Sequence, residues 1–209
     1  MMIIAIAHNK GGVGKSTLAV NLAANLRPDI IIDQDTHQSM VILNKLRDEP
    51  FNVVTSNNRA ELIGHLKESD NGKLILIDCG GFDSDLNRVA IAAADMVIIP
   101  ANDDTTELIG LRNFDDVLAS ISKEMGTHII GNVIFNRTHP NRKRFEDVES
   151  FLDNSKHMRR MESVIPRRKE VPDALRFGQG VTENKASKHS IASREMQRFA
   201  EEVKTKLNI

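Results

Sequence analysis

The sequence predicts an α/β fold: a single, mostly parallel, twisted β-sheet with helices on both faces. Three observations carry this. Short aliphatic runs alternate with helical stretches along all 209 residues, the order that gives right-handed crossovers between parallel strands. A glycine-rich stretch joins the first aliphatic run to the first helical one. No repeat, linker or low-complexity segment interrupts the series, so one domain is expected over 1–209.

The apolar run 2–7 reads as a buried strand and 18–26 as the helix after it. Pro28 and Asp29 turn the chain into a second strand, 30–32, which runs out in Asp33, Gln34 and Asp35. A helix over 39–46, a short strand over 51–54 and a helix over 59–67 follow, the last with Leu62, Ile63 and Leu66 inward. Asn71 and Gly72 make a turn before four aliphatics, Leu74 to Ile77, that end in Asp78, Cys79 and two glycines. The helix over 85–94 is expected to bury Leu86, Val89, Ala90 and Ala93, and 96–100 reads as a central strand. A long helix over 105–125 carries Leu108, Leu111, Phe114, Val117, Leu118 and Ile121 at helical spacing. The strand 129–135 ends in Asn136 and Arg137. Beyond it, Arg142, Lys143 and Arg144 open a helix to 152, 161–166 is the last strand, and 171–180 is a loop with at most one helical turn. The final helix, 190–207, turns Met196, Phe199, Ala200, Val203 and Leu207 inward.

The chain is organised around His8, Asn9, Lys10, Gly11, Gly12, Val13, Gly14, Lys15, Ser16 and Thr17. A glycine-rich loop between a strand and a helix is a phosphate cradle, because backbone N–H groups converge on the anion and the helix N-terminus adds partial positive charge. Glycines permit the close approach and the positive φ values. The common pattern G-x-x-x-x-G-K-[ST] wants glycine where Asn9 stands, and Lys10 adds a second lysine to the loop. Asp33, Asp35 and Asp78 fall at carboxyl ends of strands, where open parallel sheets bind ligands. A strand-terminal carboxylate such as Asp78 suits the water shell of Mg²⁺, with Ser16 a direct ligand.

Composition narrows the function. An apolar share of 40%, with no Trp or Tyr, implies a core of Ile, Leu, Val, Ala and Met. The single cysteine, Cys79, excludes an internal disulfide, fits a reducing cytoplasm and reads as a small buried filler. No apolar run approaches the roughly 20 residues of a membrane span, and no signal peptide is expected. The seven histidines show no metal-binding spacing, and His8 and His37 read as structural. Net charge is −1 but unevenly spread: residues 1–136 hold 11 Lys+Arg and 18 Asp+Glu, and 137–209 hold 17 and 11. The basic C-terminal part is either a nucleic-acid surface or a solvated, salt-bridged one.

With both lysines in register, the glycine stretch resembles the deviant Walker A box of the ParA/MinD superfamily of ATPases. The chain is similar to ParA-type partition ATPases from first strand to final helix. The resemblance implies a P-loop NTPase fold, ATP/ADP and Mg²⁺ as cofactors, and ATP hydrolysis that is weak without a partner. It places Gly11, Gly12, Val13, Gly14, Lys15, Ser16 and Thr17 at the phosphates, Asn136, Arg137 and Pro166 near the base, and Ser16, Asp33 and Asp78 at the metal. It makes Lys10, Lys15 and Asp35 catalytic: Lys10 crosses a two-fold interface onto the partner's ATP, Lys15 reaches the β- and γ-phosphates, and Asp35 orients the attacking water. Two plainer readings stay open, that Asp33 and Asp35 only cap the next helix and that Asn136 only forms a turn. The superfamily usually has Asp-x-Asp-Pro-Gln where Thr36 and His37 follow Asp35 here.

The resemblance further implies an ATP-dependent homodimer, cytoplasmic and nucleoid-associated in its ATP state, that binds DNA non-specifically. With a ParB- or ParG-like adaptor it would partition a plasmid, a chromosome or another large cargo. Arg142, Lys143, Arg144, Arg159, Arg160, Arg167, Arg168 and Lys169 are the candidate DNA-phosphate contacts. A MinD-like membrane switch needs a free amphipathic C-terminal helix, and Glu195, Glu201 and Glu202 speak against one, so no membrane partner is expected. A metabolic enzyme on the same scaffold is the other alternative; its iron–sulfur branch needs more cysteines than Cys79.

Overall fold

The strands are short and aliphatic, and their two faces carry different helices. In β1 (Met2–Ile6), Ile3 and Ala5 face one layer while Ile4 and Ile6 face the other, as the pleat requires. The computed structural model describes residues 2–102, 105–142 and 144–209; Lys143 therefore lies outside the described residues. With β2 (Ile30–Asp33), β3 (Val53–Thr55), β4 (Leu74–Asp78), β5 (Met96–Ala101), β6 (Gly131–Thr138) and β7 (Met158–Pro166), β1 forms one seven-stranded sheet in the order β3-β2-β4-β1-β5-β6-β7. Every pairing is parallel. One face is covered by α3 (Arg59–Leu66), α4 (Asp85–Ala93), α5 (Thr105–Met125) and α6 (Glu146–Asn154). The other is covered by α1 (Lys15–Leu26), α2 (Ser39–Asn44), α7 (Glu170–Leu175) and α8 (Ile191–Leu207).

A parallel sheet gathers all carboxyl ends at one rim. The register pairs Ile6 with Asp78 and Asp78 with Asp33, so the glycine loop that leaves β1 starts beside two strand-terminal carboxylates.

Strand β6 runs on through Asn136 and Arg137, and four further elements differ from the sequence reading. Helix α6 starts at Glu146, and Arg142 and Arg144 precede it. Phe145 is buried and stacks on Phe135 at 4.0 Å, and the acids Glu146, Asp147 and Glu149 fill the first turn, where a helix N-terminus favours them over a basic triplet. Strand β7 begins at Met158, so Arg159 and Arg160 are strand residues. The supposed loop 171–180 opens with α7, whose Pro172 sits in the first turn, where a missing N–H breaks no helical bond. In α4 the fully buried residues are Asn87, Ala90 and Ile91, because the Asn87 amide donates to the Phe82 carbonyl at 2.7 Å and turns that side inward. Leu86, Val89 and Ala93 pack only partly, as do Ile63 and Leu207.

Core packing yields a measurable contrast on α8. Phe199 is fully buried, whereas Ile191 is 52% exposed. Phe199→Ala is expected to cost about 3–5 kcal/mol in urea denaturation, and Ile191→Ala no more than about 0.5 kcal/mol.

Candidate functional site

The loop between β1 and α1 turns on Gly12 (φ 79°) and Gly14 (φ 94°). A Cβ on Gly14 would lie 2.7 Å from Asn136 Nδ2 and 3.3 Å from Arg137 Cδ, so no other residue fits there. Three loop carbonyls each meet a side-chain donor. Lys15 Nζ donates to Lys10 O at 3.1 Å, Arg137 to Gly12 O at 2.6 Å, and Asn136 Nδ2 to Val13 O at 2.9 Å. Asn136 is buried and its amide is committed to the loop. It therefore braces the cradle while also lining the second cleft.

The loop lines a cleft of about 550 Å³ with Gly11, Lys15, Ser16, Asp35 and Phe82. A second cleft, of about 770 Å³, is lined by Asn136, Pro166 and residues 167–169. The two share Thr17 and Arg137. The arrangement suits an elongated ligand with a polyanionic end in the first cleft and a planar or sugar-like body in the second.

The charges at the first cleft are unequal in their satisfaction. Burial lowers the pKa of Lys15, with Asp78 and Asp35 pulling it back up. Asp33 is buried, which raises its pKa, but its Oδ1 accepts from Asp35 N and its Oδ2 from Val41 N, each at 3.0 Å. Both oxygens are thus engaged by backbone. Asp33 braces the loop and the start of α2, as the capping reading expects. Asp35 stands at the cleft with Oδ1 accepting from His37 N at 3.1 Å, and Gln38 N donates to Asp35 O at 2.8 Å. These bonds close the turn after β2.

Asp78 differs from its neighbours. It is fully buried, and neither of its oxygens has a well-formed hydrogen bond among the described residues. Burial raises its pKa to about 7, against a lowering by the Ser16 hydroxyl and Lys15. An orphaned buried carboxylate beside Ser16 fits a hydrated divalent cation, the chemistry expected of this pair. Cys79 next to it is a buried thiol that desolvation pushes up, so it is an inert filler.

Lys10 and Glu107 form a contact that the sequence reading missed. Glu107, on α5, is fully buried; its Oε2 accepts from Lys10 Nζ at 3.1 Å and its Oε1 lies 2.8 Å from His8 Nε2. Thr106 Oγ1 is also 3.1 Å from Lys10 Nζ. Burial would raise the Glu107 pKa, but the His8 and Lys10 contacts outweigh it and hold the carboxyl below its ordinary value. Glu107 continues the buried stripe of Leu111, Phe114, Leu118 and Ile121. An acid at a stripe position was the available signal.

The basic residues do not make one surface. Residues 159 and 160 open β7, at the end of the sheet away from the cleft, whereas 142, 144 and 167–169 follow the carboxyl ends of β6 and β7. Arg160 pairs with Glu149 and lies 5.3 Å from the Phe135 ring. Arg168 is bound in bidentate fashion to Glu195, at 3.1 and 2.7 Å. Arg144 is exposed, 3.8 Å from Glu146, and Arg142 Nε donates to Arg144 O. Arg167 and Lys169 are exposed beside the second cleft. Among the described residues no helix is long and apolar enough to cross a membrane.

The raised pKa of Asp78 has a signed consequence. Its folded value, about 7, exceeds the ordinary 3.8, so the unliganded fold loses stability as pH rises from about 4 to about 7 and levels off above. Asp78→Asn is expected to remove much of that loss and raise the melting temperature of the unliganded chain at pH 8, by the equivalent of about 1–4 kcal/mol. Calorimetry of both proteins at pH 5 and pH 8 reads the difference.

Comparison with known proteins agrees with this fold. A family model described as the CobQ/CobB/MinD/ParA nucleotide binding domain matches residues 4–181. A ParA protein of Rhizobium radiobacter is 32% identical over 107 residues, and the match covers 48% of each chain, so this chain spans about half the length of that relative. An ATP complex of McdA from Cyanothece superposes with a TM-score of 0.72 at 18% identity, over 100% of this chain and 97% of that one. The MinD cell division protein of Aquifex aeolicus gives 0.69 at 21% identity, over 98% and 97%. The chain belongs to the CobQ/CobB/MinD/ParA nucleotide-binding domain family.

Proposed function

We propose that this protein is an ATP-dependent dimerising switch: an ATPase that binds DNA non-specifically in its ATP state and, with an adaptor protein, positions plasmid or chromosomal DNA or another large cargo. The observation that carries the reading is the pair of lysines on one loop, Lys15 bonded to the Lys10 carbonyl and Lys10 held by α5, with Asp35 lining the same cleft as Lys15 and Ser16 and the unsatisfied Asp78 buried behind them. The cradle N–H groups and Lys15 bind and orient the triphosphate, and Arg137 stands where the two clefts meet. Ser16 and Asp78 would hold Mg²⁺, which when bound offsets charge on the β- and γ-oxygens. Asp35 orients the attacking water. Lys10 completes the partner's site in trans, supplying the cation whose transition-state worth is large. Pairing and nucleotide state then form one equilibrium, and loss of the γ-phosphate loosens the dimer.

For DNA, Arg142, Arg144, Arg167 and Lys169 are the contacts we favour, because they share the cleft's end of the sheet; Lys143 belongs to the same stretch of sequence. Residues 159 and 160 stand at the opposite end, and Arg168 is already paired. The apolar face of α8 is spent on the core through Met196, Phe199, Ala200 and Val203, which favours the DNA reading over a lipid-binding one.

Three variants test the switch. Lys15→Ala is expected to abolish nucleotide binding in a fluorescent-nucleotide titration. Lys10→Ala should keep that binding but lose ATP-dependent dimerisation and lower turnover by at least about 10³-fold. Asp35→Ala should accumulate the ATP dimer in light scattering; unchanged turnover would refute its role. For DNA, the ATP form should bind duplexes of unrelated sequence alike, with affinity falling steeply between 50 and 200 mM salt at a slope near −0.9 per phosphate contact. Replacing Arg167 and Lys169 by Gln should reduce that slope by about 2. Sequence-selective or nucleotide-independent binding would contradict the proposal.

A further inference from the structure

We propose that Glu107 is a latch on Lys10: it holds the signature lysine within its own subunit and so sets the protein concentration at which the ATP dimer forms. The inference deepens the reading of Lys10 given above and rests on it.

The argument begins with a buried charge. Glu107 is 0% exposed on α5, and a carboxylate taken out of water needs close positive or hydrogen-bonding partners. It has two in the loop, Lys10 Nζ at 3.1 Å and His8 Nε2 at 2.8 Å. The Nδ1 of His8 accepts the Lys10 backbone N–H at 3.0 Å, which turns the other ring nitrogen toward Glu107. The His8 ring is also fixed, stacked on Phe114 with centroids 5.6 Å apart. Among the described contacts of Glu107, Lys10 supplies the ammonium, 3.1 Å away.

Helix α5 is shaped to hold this contact. A Cβ on Gly110, one turn along, would come within 3.1 Å of His8 Cε1 and 3.7 Å of Lys10 Cδ. The helix therefore lies close against the loop, and Thr106 gives the ammonium its second contact. Lys10 is itself 32% exposed, so it can swing out without unpacking the core. When it does, Glu107 is left buried with His8 alone. That loss opposes every exchange of Lys10 from its own α5 to a neighbour's triphosphate, and a symmetric pair bears it twice.

The test is the monomer–dimer equilibrium, by sedimentation with Mg²⁺ and a slowly hydrolysed ATP analogue. Glu107→Gln is expected to dimerise at a protein concentration about tenfold or more below wild type, with monomer affinity for fluorescent ADP unchanged. A purely structural role would move dimerisation the other way. Dimerisation of folded Glu107→Gln at the wild-type concentration or above overturns the latch. Lys10→Ala and Lys10→Ala/Glu107→Gln are both expected to stay monomeric. If Lys10→Ala dimerises like wild type, the trans role of Lys10 falls and the latch with it. If Lys10→Ala is monomeric and Glu107→Gln unshifted, only the latch falls. Should Glu107→Gln fail to fold, Thr106→Val leaves the buried ion pair intact and removes one tether; it is expected to lower the concentration about two- to threefold, and no shift overturns the proposal.

Discussion

A loop that aims its N–H groups at an anion must turn its carbonyls outward, and those carbonyls need donors. The rest of this structure follows from that constraint. The carbonyls of Lys10, Gly12 and Val13 are met by Lys15, Arg137 and Asn136. Two of the three donors stand at the end of β6, so the register of β6 against β5 is also what holds the cradle open. Arg137 takes up a left-handed backbone, φ 58°, a conformation that costs a non-glycine residue about 1 kcal/mol or more. The segment is overdetermined around it: Thr138 is buried, and its carbonyl accepts from Arg167 N at 2.8 Å.

The electrostatics of the rim divide between a satisfied and an unsatisfied half. Asp33 answers its own burial with two backbone N–H groups, and Glu107 with Lys10 and His8. Asp78, the most buried of the strand-end carboxylates, has neither, and its proton affinity rises to about 7. A fold that keeps an uncompensated acid is less stable empty than it would be with an apolar or amide side chain there, and a ligand that satisfies the acid stabilises the folded state by mass action.

The segment after Asp33 is fastened at both ends. Asp33 caps the start of α2, and beyond its end Arg47 is bound by Glu183 at 2.5 and 3.0 Å and by Gly178 O at 2.7 Å, over the Phe51 ring at 3.9 Å. The turn that carries Glu183 is joined to α1 through Val181 N and Asn21 Oδ1 at 2.9 Å. A buried Arg–carboxylate fork of this kind constrains geometry more surely than it adds stability. Here it couples the helix behind Asp35, the helix behind the cradle and the turn that follows α7 in one layer.

The sequence by itself determined the strand–helix alternation, the parallel sheet and the phosphate cradle, because aliphatic runs, a 3.6-residue stripe and glycines at a strand–helix junction are local signals. It also placed the acids of β2 and β4 at strand ends. Tertiary structure decided what each polar group faces. Asn136 turned to the loop rather than outward, Asp33 to the backbone, and Arg168 to Glu195, since each partner comes from a distant part of the chain and no spacing encodes it. The basic clusters, adjacent in sequence, were sent to opposite ends of the sheet by the length of one nine-residue strand. Glu107 was hidden for the same reason: a carboxylate on an apolar stripe is visible as an anomaly, but only packing α5 against the loop after β1 shows that Lys10 and His8 are its partners.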